Sequence, residues 1–330
     1  MPSVLVTGAS GFVGSHIVQA LRAQGIAVRC LVRRTSRLDL LRPSAPEFAW
    51  GDVSEKATLG PALKGVDAVI HCAGLTRARS RSEYFRVNAD GCQNLYSACT
   101  EIKGQLAKIV HISSLAALGP AIEGKPVNEE TVPRPVSDYG ASKLAGQRIA
   151  EARMDRLPIS VIIPPPVYGP GDDDFLAFFK LVSRGFAPLV GRRPCTLSLI
   201  YVKDLAGAVL RVLFSARAIG RRYLVSDGCH YDWRDVAGAV GVAVNRRPRY
   251  IHLPAWAARI AGMIGDLAAT ITGKPRLLSS EKVRELLQTS WTCSAQPIYE
   301  ELGYRAEYPL QRGVKETLAW YRDKGWLPRP

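Results

Sequence analysis

Two short groups of residues in this chain could do chemistry together. One is Thr7-Gly8-Ala9-Ser10-Gly11-Phe12-Val13-Gly14, and the other is Tyr139-Gly140-Ala141-Ser142-Lys143. A phenol can give or take a proton. A lysine four residues further along a helix shares its face, so the ammonium can sit under the phenol. Three glycines between the strand-like Val4-Leu5-Val6 and a helix-like stretch from Ser15 to Gln24 leave backbone N–H groups open at a helix N-terminus, where a pyrophosphate binds well. The first group can hold a dinucleotide and the second can move a proton beside it.

The elements that must position these groups follow from the hydrophobic pattern. Val28 to Val32, Phe48 to Trp50, Ala68 to His71, Ile109 to Ile112 and Ser160 to Ile163 are apolar runs of strand length. Helical patterns lie between most of them, over Ile17 to Ala23, Phe85 to Cys99 and Ser142 to Met154. Such alternation predicts an α/β protein with a doubly wound parallel sheet and ligands at the carboxyl ends of its strands. After Pro164 a Pro/Gly/Asp-rich stretch breaks the repeat, and irregular elements run on to a helix-like Val202 to Phe214. The tail from Leu253 reads as mainly helical, ending in a helix from Leu310 to Lys324 after the turn Leu302-Gly303-Tyr304. The expected division is a dinucleotide-binding domain over 1–165, to which 198–216 return, and a smaller substrate-binding part over 166–197 and 217–330.

Composition narrows the class. The chain has 330 residues, 47% of them hydrophobic and 22% charged, which suits an ordered globular protein rather than a disordered one. Met1-Pro2-Ser3 runs straight into a strand pattern without a basic or apolar leader, so a cytoplasmic location is expected. Cys30, Cys72, Cys92, Cys99, Cys195, Cys229 and Cys293 are scattered, odd in number and never spaced as CxxC. That pattern argues for reduced thiols and against a disulfide framework or a zinc site, and no metal is expected. The net charge of +15 is spread, with 18 basic against 12 acidic residues in 1–150 and 26 against 17 in 151–330. Arginine clusters at 33–37, 77–81, 192–193, 221–222 and 246–249 are either solvated surface or an attraction for an anionic cofactor, an anionic substrate or an acidic membrane. No basic stripe interleaved with aromatics points to nucleic acid.

Taken together, the motifs resemble those of the extended short-chain dehydrogenase/reductases, the NAD-dependent epimerase/dehydratase family, across the whole chain and most strongly in 1–215. In family order they are Thr7-Gly8-x-x-Gly11-x-x-Gly14, Gly51-Asp52-Val53, His71-Cys72-Ala73-Gly74, Val87-Asn88, Ile112-Ser113-Ser114, Tyr139-x-x-x-Lys143 and Val167-Tyr168-Gly169-Pro170-Gly171-Asp172. The resemblance implies a Rossmann-type fold, a nicotinamide cofactor and a homodimer. It places Gly8, Ser10, Gly11, Phe12, Val13 and Gly14 around the pyrophosphate and Asp52 and Val53 at the adenine. Ala73, Gly74, Pro164 and Val167 flank the cofactor, together with Tyr139 and Lys143. Asn88 matches a position that supports the active-site helix, with a solvent-facing asparagine the lesser alternative.

Cofactor choice turns on the end of the second strand. Relatives that prefer NAD usually place Asp there, whereas this chain has Val32-Arg33-Arg34-Thr35-Ser36-Arg37. Arg33 offers paired donors that match phosphate geometry and Ser36 adds a hydroxyl, so a 2′-phosphate and NADP(H) are expected, with NAD(H) the alternative.

The resemblance makes Ser114, Tyr139 and Lys143 the catalytic residues. A free phenol has a pKa near 10, so proton transfer near pH 7 asks for about three units of phenolate stabilisation, roughly 4 kcal/mol. Lys143 and the cationic nicotinamide ring are expected to supply it. Of two adjacent serines, the pattern Ser113-Ser114-x-x-x-x-Gly119 favours the second. Sugar-nucleotide dehydratases of the family carry Asp-Glu after the catalytic hydroxyl residue, where this chain has Leu115 and Ala116. Many epimerases carry Arg before the motif's proline, where this chain reads Ile162-Ile163-Pro164, a form similar to dihydroflavonol reductases and 3β-hydroxysteroid dehydrogenases. The expected activity is NADP(H)-dependent interconversion of a secondary alcohol and a ketone on a small hydrophobic substrate, sterol-like, β-keto acyl or polyketide. A nucleotide-sugar 4-epimerase and a non-catalytic dinucleotide sensor are the alternatives.

In Pro254 to Gly273, Trp256, Ile260, Met263, Ile264, Leu267 and Ile271 recur at three- and four-residue intervals and make one apolar helix face. Core packing is the first expectation for it; a lid over an apolar pocket or a peripheral membrane contact are the others. Arg259 and Asp266 interrupt the run, which excludes a membrane-spanning helix.

Overall fold

β-Branched and aliphatic runs pair into one sheet that carries the site at its carboxyl edge. The computed structural model describes residues 2–102, 106–122, 124–191, 195–272 and 279–328. The sheet strands are β1 (Ser3–Thr7), β2 (Ala27–Val32), β3 (Glu47–Trp50), β4 (Ala68–His71), β5 (Lys108–Ile112), β6 (Ile159–Ile163) and β7 (Arg222–Leu224). They are parallel and lie in the order β7-β6-β5-β4-β1-β2-β3. Strand order reverses between β1 and β4, which opens a crevice at their carboxyl ends.

The two-residue period of each strand divides its side chains between two helical layers. Val4, Val6, Ile70, Val110 and Ile162 pack against α1 (Phe12–Ala23) and α4 (Val202–Leu213), while Leu5, Val69, Ile109 and Val161 pack on the other side with Leu95, Tyr96 and Cys99 of α2 (Gly91–Glu101). The helix α3 (Asp138–Glu151) lies on that second side as well. A separate cluster of Tyr168, Phe179, Tyr201, Val240, Val314 and Tyr321 forms the core of the C-terminal part.

Two expectations need adjustment. Arg222–Leu224 fall within the stretch assigned to the substrate-binding part, yet they form the sheet's seventh strand, and Ala295, Ile298 and Leu302 join the same core as α1. The helix α5 (Ala255–Thr272) is formed as the periodicity predicts, but its apolar face is not core: Trp256 is 65% exposed, Leu267 63% and Ile271 75%. Full burial of each such side chain would have contributed about 1.5–3 kcal/mol, so the fold leaves a large stabilisation unused there.

Candidate active site

The Gly-rich turn is shaped by contacts that no side chain could survive. Gly8 has φ +66°, and a Cβ there would lie 2.6 Å from Ala73 N and the Cys72 carbonyl at the end of β4. A Cβ at Gly14 would stand 2.2 Å from Gly8 O. At Gly11, the residue before α1, a Cβ would meet only Gly8 O, at 3.3 Å, so that side of the loop is bare backbone facing outward. No side chain caps α1 and no acidic residue sits in its first turn, so its first N–H groups and dipole remain available to an anion. These features fit a dinucleotide pyrophosphate, with Ser10, Phe12 and Val13 in the same turn. The Thr7 hydroxyl accepts from Ala73 N at 3.2 Å and bonds His71 Nδ1 at 2.8 Å, which ties the ends of β1 and β4 together.

At the far end of this crevice the loop after β2 is a turn closed from Ser36 N to Arg33 O at 2.9 Å, with Arg33 N donating to the Ser36 hydroxyl at 3.0 Å. Arg33 is largely exposed. Its guanidinium lies 3.9 Å from Asp52 Oδ2, a carboxylate brought from the end of β3 that the sequence around Arg33 gives no sign of. Asp52 Oδ1 accepts from Ser54 N and from the Ser54 hydroxyl, and Val53 is buried against α2 beside Gly91.

The proton-transfer group is assembled by three consecutive residues at the end of β5 meeting three successive turns of α3. Lys143 Nζ donates to the Ile112 carbonyl at 2.7 Å, and the Ser113 hydroxyl donates to Gln147 Oε1 at 2.6 Å. The Ser114 hydroxyl accepts from Ala116 N at 3.2 Å and lies close enough to the Tyr139 phenol to lower its pKa. Tyr139, Lys143 and Gln147 are four residues apart, so one helix face meets them all. Ser113 is buried with its hydroxyl donated to Gln147, whereas Ser114 is only partly buried and keeps its own hydroxyl proton for a further partner beside the phenol. Gln147 was legible as the next position on that face but carried no motif to mark it.

Glycines let α3 come this close. A Cβ at Gly140 would be 2.3 Å from Ala116 O, and one at Gly146 would be 2.1 Å from Asn88 O. Asn88 is buried, not solvent-facing: its amide donates to the Ser142 hydroxyl at 2.9 Å and to Leu75 O, and it accepts from Leu75 N. It thus fixes both α3 and the loop after β4, where a Cβ on Gly74 would lie 3.6 Å from Lys143 Nζ. On the other flank the Pro164 carbonyl accepts from Leu115 N at 2.8 Å, and Val167 pairs with Ile200.

A contribution from the tail was invisible in the sequence. The helix α6 (Ser280–Leu286) sends Glu285 to the Ser137 hydroxyl, 2.7 Å away, and Glu281 to Asp138 N, so it seals the start of α3. Burial pushes the Tyr139 phenol up to about 12; the Ser114 hydroxyl opposes this, and Glu285, Asp174 and Cys72 add to it. Burial lowers the Lys143 ammonium's pKa. Behind Lys143, His71 is held down to about 3 by burial and by the lysine's charge, so this imidazole is neutral.

Residues 4–226 match the model of the NAD dependent epimerase/dehydratase family, and the chain belongs to that family. It is an NAD(P)-dependent enzyme of the extended short-chain dehydrogenase/reductase type. It is 33% identical to a ceramide reductase of Caulobacter vibrioides over 99% of this chain and 96% of the relative. Over 94% of this chain and 93% of the other it is 27% identical to a 4-hydroxy-2-methyl-3-oxo-4-farnesyl-3,4-dihydroquinoline-1-oxide ketoreductase of Stigmatella aurantiaca. Among solved structures it resembles a UDP-glucose 4-epimerase of Thermus thermophilus in complex with NAD, with a TM-score of 0.75 at 26% identity, over 97% of this chain and 99% of that one.

Proposed function

We propose that this enzyme reduces a ketone on a lipophilic substrate to a secondary alcohol, using NADPH, with Tyr139 as proton donor. The observation that carries this reading is the isolation of one acid/base pair. The Ser113 hydroxyl is spent on Gln147 and one Lys143 N–H on Ile112, Leu115 and Ala116 carry no acid, and among the described residues at the end of β5 and on the facing turns of α3 it is Ser114 and Tyr139 that remain to meet a substrate oxygen. Elimination of water asks for a further acid and base at the reacting centre, and carbonyl reduction does not. A bound nicotinamide dinucleotide supplies the hydride equivalent to the carbonyl carbon. Ser114 holds the carbonyl oxygen by a hydrogen bond, and Tyr139 gives it the proton. A phenol whose pKa is raised to about 12 stays protonated at neutral pH, the form that donates. Lys143, anchored on Ile112 beside Gly74, holds positive charge near the developing phenolate.

The names of the two curated relatives, a ceramide reductase and a ketoreductase of a farnesylated quinoline, support ketone reduction on lipophilic molecules. The epimerase reading draws on the likeness to the Thermus enzyme. Incubating the enzyme with NADPH and a panel of long-chain β-keto amides, β-keto esters and 3-ketosteroids separates them. Net loss of NADPH with an equal amount of alcohol is expected, and a sugar nucleotide inverted without net cofactor change would overturn the proposal.

The NADP preference rests on Arg33 and Ser36 at the end of β2. Asp52 is 3.9 Å from Arg33, a loose pair between partly exposed groups worth about 0–1 kcal/mol, so a dianionic 2′-phosphate outcompetes it readily. Fluorescence titration should give tighter NADPH than NADH binding in the wild type. Arg33→Asp places a second carboxylate beside Asp52 and should reverse that order; tighter NADH binding by the wild type contradicts the assignment.

A further inference from the structure

The bare face of α5 has an occupant that the surrounding charge selects. Trp256, Ile260, Met263, Ile264, Leu267 and Ile271 lie within an arc of about 100° on the helix, and all are exposed. The opposite side of α5 is attached: a Cβ on Gly262 would meet Ser280 and Val283 at 3.1 Å, and Asp266 accepts from Ser280 N. The stripe is therefore the side facing away from α6. One residue separates α5 from the strand Arg249–Leu253, whose Ile251 and Leu253 are also exposed, in a two-stranded sheet with Phe186–Val190.

Exposed arginines border this surface. Arg246 and Arg247 lead into the strand, Arg249 opens it, and Arg259 flanks the helix stripe. An apolar helix face with tryptophan at one end and arginines alongside is the pattern of a helix that lies in the plane of a bilayer interface. Among the described residues no helix is long and apolar enough to cross a membrane. A second copy of the chain suits the surface less well. A two-fold contact pairs each patch with itself, bringing like-charged arginines together in a protein that already carries +15. An anionic bilayer meets the same arginines with opposite charge.

We infer that the α5 stripe and the strand Arg249–Leu253 dock this enzyme onto an anionic lipid surface. The placement has a consequence for the site. The helix α5 rides on α6, and α6 is bonded through Glu281 and Glu285 to the first residues of α3, next to Tyr139. Docking through α5 therefore sets the catalytic helix near the interface, where an acyl-bearing ketone partitions.

The test is flotation of the full-length protein with vesicles of phosphatidylcholine alone or mixed with equimolar phosphatidylglycerol. The expected result is binding to the anionic vesicles that weakens as salt rises, little binding to phosphatidylcholine alone, and at least a tenfold loss in I264E/L267E. Unchanged melting temperature and NADPH affinity in that variant show that the fold and cofactor site are intact. A second variant, R246E/R247E/R249E, should lose the preference for phosphatidylglycerol. Binding that survives both variants, or no vesicle binding by the wild type, overturns the inference. So does conversion of a dimer to a monomer by I264E/L267E, which would make this face a contact between copies. Turnover of a short, water-soluble ketone is independent of docking, so its presence or absence judges the proposed reduction separately.

Discussion

Tyr139→Phe should lower kcat for ketone reduction by about 10²- to 10⁴-fold, the usual cost of losing a general acid. The substitution removes one oxygen beside Ser114 and leaves the ring against Tyr84, 6.0 Å between centroids, so the fold and cofactor affinity should be retained. The pH profile sharpens the expectation. With the phenol raised to about 12, the wild type keeps its donor protonated and its reduction rate should stay level through neutral pH. Alcohol oxidation needs the phenolate, so its rate should climb with pH over the same range. In Tyr139→Phe the rise in the oxidation limb should vanish. Measuring kcat in both directions as a function of pH checks this, and a variant with wild-type kcat removes Tyr139 from the chemistry.

Lys143→Met should cost more in activity and little in stability. The lysine carries a charge into a buried position with a backbone carbonyl, Ile112 O, as its hydrogen-bond acceptor. Burial lowers its pKa, so the folded protein holds that proton less tightly than the unfolded chain does, and the ionised lysine opposes folding at neutral pH. Methionine fills similar space without that penalty, although it leaves Ile112 O without a donor. The melting temperature should therefore hold or rise while kcat falls by more than in Tyr139→Phe. The proposed charge for the developing phenolate and the anchor of α3 on β5 are lost together. A fall in melting temperature with near-normal kcat would make Lys143 a structural residue only.

Much of this arrangement could be read from the chain because it is written locally. Six strands and the helices between them follow from residue period, and the glycines at 8, 11 and 14 have a spacing that fits a strand-to-helix turn with close backbone contacts. The family resemblance, rather than the local residues, favours Ser114 over Ser113, and the bond from Ser113 to Gln147 supports the proposal that Ser114 is the one that meets substrate. What stayed hidden depends on distant partners. Arg222-Tyr223-Leu224 is too short to announce a strand and becomes one by pairing with β6. Asp52 approaches Arg33 only because β3 lies beside β2, and Glu281 and Glu285 meet α3 across more than 140 residues of chain. The periodicity of α5 marked an amphipathic helix correctly, but period alone does not say whether protein or solvent faces the apolar side.

The most direct test of the central claim is a single-turnover reaction with NADPH deuterated at the transferring position and a long-chain β-keto amide. Mass spectrometry should find one deuterium on the new carbinol carbon for each cofactor oxidised, with the signal abolished in Tyr139→Phe. Deuterium retained on the cofactor, or returned to it after inversion of a sugar nucleotide, would contradict the assignment of this enzyme as a lipid ketone reductase.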